Sequence, residues 1–378
     1  MSLSSLPDEF KFIFSKLSPL QREKIQQTYT TSITDSQTEF DAYSKALYKI
    51  LIDEGVKDDI LQYLGIKMWF INGNHPWILD IGSDLTHPAA RAFYALALLF
   101  KGDSKEAISI LERLKSREPY FQMEILGIRS FSQCVVRRYQ EVEKTFKEAF
   151  KLRSQPFFKK SQAFVDDGYI WVLSRYAYTV RASGDFERAL ELIEQAYNLS
   201  LQGNNRFLQI LSLIIFGQCL ENIGQLSNAL EKYDIALDLS QEIGARSLRS
   251  MIFNRIGLAL SGLGKFDDAY EFFQKAYDSA IDIGSDWLSI GPLGNLSGFK
   301  RSKGNLWGAI EDLEQVREFS ESFGDKKDLF HAYMALSDLY REVGQKKKSQ
   351  DNFWKGLLLG INLGFFYVEL GTESRDRD

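Results

Sequence analysis

The sequence predicts an all-α protein built from repeated helix-turn-helix units. Three observations support this fold class. Only seven prolines occur in 378 residues, and an interior proline costs a helix about 3 kcal/mol. Glycines recur at a fixed interval, and apolar residues between them follow helical spacing. Together these patterns are typical of an array of helices joined by short turns.

Composition excludes several classes of protein. Hydrophobic residues make up 44% and charged residues 26% of the chain, whose formal net charge is −5. A nucleic-acid-binding protein usually carries a basic surface, whereas here both charge signs are mixed along the chain. The longest basic run, Lys346 to Lys348, is interpreted as the solvated start of a helix. We therefore expect no nucleic-acid partner.

The sequence also indicates a cytoplasmic protein without a membrane partner. Asp8 and Glu9 occupy the region where a secretory signal would be apolar. The most apolar segment, residues 89–100, is too short to span a bilayer and contains a charge. Two distant cysteines, Cys134 and Cys219, have neither a disulfide framework nor metal-ligand spacing.

Residues 1–85 show no clear repeat but are still predicted to form helices. Ser18 opens a helix from Pro19 to about Ser32, and Asp35 or Ser36 opens one over residues 37–54. A third is expected over about residues 58–70. This section is interpreted as a degenerate start of the array or a small helical cap. Its aromatic residues Trp69, Phe70 and Trp77 are expected to pack in the core of these helices rather than form an exposed patch.

Two sets of turn residues define the repeat. Gly184, Gly224, Gly264, Gly304 and Gly344 are 40 residues apart, and each begins a similar phrase, such as the GKFDDA of residues 264–269. A second set holds Gly244, Gly284, Gly324 and Gly364, with Asn204 in the earliest register. Glycine and asparagine readily adopt the left-handed conformation that ends a helix. Each unit is therefore predicted to be helix, turn, helix, turn.

Side chains between the turns agree with this interpretation. Apolar residues recur three and four positions apart, which places them on one helix face. Small residues recur where the two helices of a unit would cross, which allows a close approach. They are Ala177, Gly217, Gly257 and Ser297 on the first helices, and Ala189, Ala229, Ala269 and Ala309 on the second helices.

Residues 250–283 carry the resemblance to a known family. Gly257, Gly264, Phe266, Ala269, Phe273 and Ala276 fall in the register of the tetratricopeptide repeat. The unit of 40 residues exceeds the familiar 34 and resembles the longer repeats of bacterial sensor and regulatory proteins and of peptide-binding polarity scaffolds. The resemblance implies a tetratricopeptide-type α-solenoid with a right-handed superhelix, preceded by a less regular helical N-terminal section.

The resemblance predicts the organisation of the chain. It is most regular over residues 170–364, and about seven units are expected over residues 86–364. Upstream, one unit has its turn at Gly102, and the next unit has Arg137 at the position of the turn glycine. Extra residues are expected near residues 153–164. Residues 365–378 form an apolar end and a charged tail, preceded by the apolar run of residues 357–363. These apolar residues either pack back on the preceding helix pair or bury against a second copy or a partner.

We expect no enzyme, no cofactor and no metal site. His75 and His87 are interpreted as turn or surface histidines, and His331 lies on a predicted helix far along the chain. The glycines mark the turns of the repeat, and the sequence contains neither a phosphate-binding loop nor a nucleophile elbow.

The resemblance places the first helix of each unit along a concave groove. Its polar and aromatic residues would hold a bound peptide by its carboxylates and backbone amides. The favoured function is a scaffold or adaptor that binds a protein or peptide, and the alternative is a sensor of a signalling peptide or small ligand. A scaffold should show an open groove and a sensor a closed pocket. The groove candidates are Trp171, Arg175, Arg181, Gln218, Glu221, Asn254, Arg255, Asn295, Arg301, His331, Asp338 and Arg341.

Overall fold

The computed structural model describes residues 14–15, 17–32, 39–155, 167–203, 205–323 and 325–363, and over these residues the fold is all-α with no strand. The first helices precede the regular repeats. They are α1 (Pro19–Ser32), α2 (Glu39–Tyr48), α3 (Asp59–Asn72) and α4 (His75–Ile81). A π-helical turn (Lys49–Asp53) continues α2, and a 3-10 turn (Gly82–Asp84) follows α4.

The remaining helices of the described residues form seven consecutive pairs. The first three pairs are α5 (Pro88–Lys101) with α6 (Ser104–Arg113), α7 (Pro119–Val135) with α8 (Tyr139–Arg153), and α9 (Asp167–Ala182) with α10 (Phe186–Gln202). The last four are α11 (Arg206–Asn222) with α12 (Leu226–Glu242), α13 (Arg246–Gly262) with α14 (Phe266–Asp282), α15 (Asp286–Ser302) with α16 (Leu306–Phe323), and α17 (Lys326–Glu342) with α18 (Lys346–Asn362).

The turn residues adopt the conformation that the sequence predicts. Gly184, Gly224 and Gly264 have φ angles of 91°, 77° and 78°, in the left-handed region where a side chain is strained. The turn between α7 and α8 has the same geometry without glycine, because Arg137 has a φ of 60°. The backbone of this weaker repeat therefore follows the others at the cost of local strain.

Small residues allow the paired helices to cross closely. A Cβ added at Gly217 of α11 would lie 2.3 Å from Cε1 of Tyr233 on α12. At Gly257 of α13 it would lie 2.6 Å from Cε1 of Phe273 on α14. Both aromatic rings are buried. The recurring small residues are thus explained by an aromatic ring of the second helix lying against the first.

The chain divides into two compact units, Met1–Ser289 and Ile290–Asp378, and the boundary falls within α15. The second unit has its own core, in which residues of α16 pack against residues of α17. The buried members of this core are Ala309, Ile310, Leu313, Leu336, Leu339 and Tyr340.

The first helices are tied to each other by specific hydrogen bonds. Ser18 caps α1, because its Oγ accepts from the Gln21 amide at 3.3 Å while Gln21 Oε1 accepts from the Ser18 amide at 2.6 Å. Gln21 also donates to Asp58 Oδ2 at 2.7 Å, and Asp58 caps α3. Trp69 is fully buried and donates to the Ser44 carbonyl at 2.9 Å. These helices therefore share a core, as expected for Trp69 and Phe70.

The structure corrects the expectation that His75 and His87 are turn or surface residues. His75 and His87 are only 2% and 6% exposed, because they begin α4 and α5 where these helices pack against their neighbours. In the apolar run of residues 357–363, Leu357 and Leu359 are half-buried on α18, whereas Leu358 and Ile361 are 62% and 37% exposed. The expectations for Asp35, Ser36, Asn204, Gly324, Gly364, residues 156–166 and residues 365–378 lie outside the described residues.

Candidate functional site

The interior of the first compact unit is formed by helices that lie far apart in the sequence. Helix α3 contacts α13, and α5 packs against α3 and α7. Aromatic rings fill the spaces between them: Phe70 of α3 lies 6.3 Å from Phe207 of α11, and Phe93 of α5 lies 6.3 Å from Trp171 of α9. Helix α3 therefore contacts α11 and α13, and α5 contacts α9.

A pocket remains between these helices, and its empty space of about 330 Å³ includes open solvent. One part of its wall is apolar and another carries three ionisable side chains. This combination, a concave apolar surface with a few polar groups, is typical of a small-ligand site. The lining residues are Lys67 and Ile71 of α3, Phe93 of α5, Glu124 of α7, Asp167, Gly168 and Trp171 of α9, and Phe207 and Leu208 of α11.

The polar part of the wall contains a buried ion pair. Lys67 Nζ lies 2.7 Å from Glu124 Oε1, and the two side chains are 5% and 8% exposed. Lys67 also donates to Tyr63 Oη at 3.2 Å, and Tyr63 donates to Glu124 Oε2. Burial and the charge of Glu124 raise the pKa of Tyr63 well above its usual value. Tyr63 therefore remains a neutral donor, and the network connects α3 to α7 across the pocket.

Trp171 and Arg175 lie one turn apart on α9, and both are 6% exposed. The Trp171 ring contacts Phe131 at a centroid distance of 6.1 Å, and its Nε1 is buried without a hydrogen-bond partner among the described residues. The Arg175 guanidinium lies 4.6 Å from the centroid of the Phe131 ring. Two predicted groove residues are thus brought together, but inside the protein.

Gln218 of α11 is also buried, with 3% exposure and an Oε1 that has no hydrogen-bond partner in the described part of the chain. The neighbouring Glu221 accepts from Tyr233 Oη at 2.8 Å and lies 3.8 Å from Arg255 Nη1 of α13. This contact connects consecutive pairs rather than leaving the two charges available to a ligand.

Other predicted groove residues of the first unit also connect neighbouring pairs or are half-buried. Arg181 donates to Asn222 Oδ1 at 2.6 Å, which joins α9 to α11. Asn254 of α13 is half-buried. Open access to a bound peptide is therefore limited at these positions.

The predicted residues of the second unit lie nearer its surface. Arg301 donates to Glu342, and Arg341 donates to Asp338 Oδ1 at 2.6 Å. Asn295 is half-buried and His331 is exposed. The two arginines are thus paired with carboxylates of the same unit. That the predicted residues of this unit contact a ligand stays a prediction.

Several pocket residues were not predicted from the sequence, notably Lys67, Glu124 and Asp167. For two of these residues, the sequence contained a signal of burial. Lys67 interrupts the apolar run of residues 64–71, and Glu124 interrupts the apolar face of residues 121–128. A charge within such a run is expensive to bury unless it is paired, so two such charges suggest a buried pair. Their partnership could not be read from the sequence because α3 and α7 are not adjacent along it.

Metal-binding clusters and membrane-spanning helices are considered next for the described residues. Groups of three or more His, Cys, Asp or Glu side chains arranged for a metal ion are absent from those residues. Within the same ranges, every helix is too short or too polar to cross a bilayer.

Comparisons with known proteins agree with the repeat. Residues 252–280 match the tetratricopeptide repeat family. A search of curated proteins finds no significant match. Among solved structures, a Rap protein complexed with competence and sporulation factor is similar over 91% of this chain and 99% of its own, with 12% identity and a TM-score of 0.59.

Two further solved structures match this chain, of which the first is similar in fold. The Cut9 and Hcn1 hetero-tetramer of APC/C matches over 94% of this chain and 64% of the other chain, with 17% identity and a TM-score of 0.58. Aspartyl phosphate phosphatase F from Bacillus subtilis matches over 95% and 94%, with 17% identity and a TM-score of 0.46. The chain therefore has an all-α, solenoid-type fold similar to that of tetratricopeptide repeat proteins, and residues 252–280 match the repeat of that family.

Proposed function

We propose that this protein is a non-catalytic sensor that binds a small ligand, or one apolar residue of a signalling peptide, in the pocket of its first compact unit. The observation that carries the proposal is the pocket itself, whose wall is made by helices α3, α5, α7, α9 and α11. A scaffold would use an open groove, whereas the first helices in this unit face other helices.

The dimensions of the pocket favour a ligand of limited size. Its empty space of about 330 Å³ includes open solvent, so the enclosed part admits only a small group. Ile71, Phe93, Phe207 and Leu208 offer an apolar wall, and Trp171 Nε1 offers a buried donor. The ligand is therefore expected to have an apolar body and at least one hydrogen-bond acceptor.

The fold supports regulation by such a ligand. The repeat fold is of the protein-interaction type, and a Rap protein of similar fold forms a complex with competence and sporulation factor. In the present chain the pocket wall combines the N-terminal helix α3 with four successive pairs. A bound ligand would contact all of them at once, so binding would shift the equilibrium between their packed and loosened arrangements.

Thermal unfolding in the presence of a peptide library tests the proposal. The probes are free tripeptides that each contain one apolar residue. A ligand present at 100 times its Kd should stabilise the protein by about 2.7 kcal/mol. Leu208→Trp should abolish this stabilisation because the indole would occupy the pocket.

Leu358→Trp is the matched control, since it makes the same change at an exposed position of α18 and should leave binding intact. Equal stabilisation of wild type and of the Leu208→Trp variant would show that the probes bind elsewhere. A library that stabilises neither protein would contradict the sensor function.

A further inference from the structure

Arg175 is a buried cation without a buried anion beside it. The residue is 6% exposed, its Nε has no hydrogen-bond partner within the described ranges, and its guanidinium rests on the Phe131 ring at 4.6 Å. Among the residues the structure describes, no carboxylate lies within ion-pair distance of it. The titratable groups that act on it are Cys134 and Tyr178, and burial raises the pKa of Cys134 to about 11. The cysteine is therefore a neutral thiol.

Two other cations in the interior of this unit are compensated. Lys67 is paired with Glu124 at 2.7 Å. Arg129 donates to the Leu111 carbonyl at 3.2 Å and 3.0 Å and to the Leu114 carbonyl at 3.0 Å. A buried charge that lacks such partners destabilises a protein strongly, and a contact with an aromatic face offsets only part of that penalty. The retention of a guanidinium here is thus unexplained by stability alone.

The position of Arg175 relates it to the pocket. Trp171 forms part of the pocket wall and lies on the same face of α9, one helical turn away. Both side chains contact the same Phe131 ring, at 6.1 Å for Trp171 and 4.6 Å for Arg175. Arg175 lies outside the lining of the pocket, so a ligand whose apolar group fills the pocket would have to extend past Trp171 to reach the guanidinium.

We propose that Arg175 binds a carboxylate of the ligand, so that the ligand class is an apolar group bearing a free carboxylate, such as the C-terminal residue of a peptide. This inference rests on the proposed function of the pocket. A guanidinium presents its donors in a planar fork that matches a carboxylate. Binding would supply the counter-charge that the unliganded protein lacks.

A pair of matched probes tests the inference directly. N-acetyl-leucine and N-acetyl-phenylalanine are titrated against their uncharged amides, with binding measured by calorimetry on the full chain. Since hydrogen bonds to a charged group are the stronger class, the acids should bind wild type about 10- to 100-fold more tightly than the amides. Arg175→Met should remove this preference.

The same variant has a second readout. Because methionine replaces a buried charge with an apolar chain of similar length, Arg175→Met should raise the thermal midpoint of the unliganded protein. A lower midpoint would assign Arg175 a structural role and overturn the inference. Acids and amides that bind wild type equally would also overturn it, while leaving the pocket's function intact. Failure of all four probes to bind wild type would overturn the inference, and failure of the tripeptide library as well would contradict the proposed function.

Discussion

The buried pair of Lys67 and Glu124 makes a quantitative prediction about stability. Lys67→Met leaves the Glu124 carboxylate, which is 8% exposed, without its cation. Removing one partner of a buried pair typically costs about 3–5 kcal/mol, because the remaining charge is desolvated and uncompensated. Tyr63 would still donate to Glu124, so we expect the lower part of this range.

A double-mutant cycle separates the pair from its surroundings. Glu124→Gln keeps an acceptor for Tyr63 and removes the charge. The variant carrying both substitutions should therefore be more stable than Lys67→Met alone, with a coupling energy of about 1–3 kcal/mol. Urea unfolding followed by circular dichroism gives each free energy of unfolding.

Lys147→Met provides the matched control in the same compact unit. Lys147 Nζ lies 2.8 Å from Glu143 Oε1, but the two side chains are 72% and 48% exposed. The geometry is close to that of Lys67 and Glu124 and only the burial differs, so this substitution should leave the urea midpoint unchanged. An Lys67→Met variant as stable as wild type would refute the argument, because it would mean that Glu124 is hydrated.

Three further changes test the backbone, the helix crossings and the buried histidine. Arg137→Gly should stabilise the protein by roughly 0.5–1 kcal/mol, because glycine adopts the φ of 60° without strain. Gly217→Ala should destabilise it by about 1–3 kcal/mol, since the new methyl group would collide with Tyr233. Burial lowers the pKa of His75 from the usual 6.5 to about 3. Below pH 6.5 the unfolded chain therefore binds more protons at this residue than the folded chain does. The free energy of unfolding then falls as pH decreases, by up to about 1.4 kcal/mol per pH unit. His75→Phe should reduce this slope.

Each change has a measurement and a contrary result. Gly224→Ala is the control for Arg137→Gly, because it imposes the same strain where a Cβ would meet no neighbour; both variants should shift the urea midpoint, in opposite directions. An unchanged urea midpoint for Gly217→Ala would contradict the predicted collision with Tyr233. For His75→Phe, midpoints at pH 7 and pH 5 are compared with wild type. His87, whose pKa burial lowers to about 4, should maintain a residual slope, and an unaltered wild-type slope would contradict the assignment.

The candidate site shows where sequence reasoning reaches its limit. Trp171 and Arg175 were predicted to face an open groove, since residues on that face of a first helix line the concave side in the family. They are on that face, but it is covered by α5, whose Phe93 lies 6.3 Å from Trp171. The sequence of α5 predicts a helix, yet it contains no information on which distant helix its apolar side chains will contact.

The sequence by itself determined the helices and their turns. Proline scarcity, apolar spacing of three and four residues, and glycines such as Gly224 and Gly264 act over a few neighbouring residues, so they can be read directly. The strained turn at Arg137 was visible in the same register. Only the tertiary structure decided that Lys67 pairs with Glu124 and that Arg175 is buried. Both depend on contacts between helices far apart in the chain, where burial and pairing of charges are set by packing rather than by local sequence.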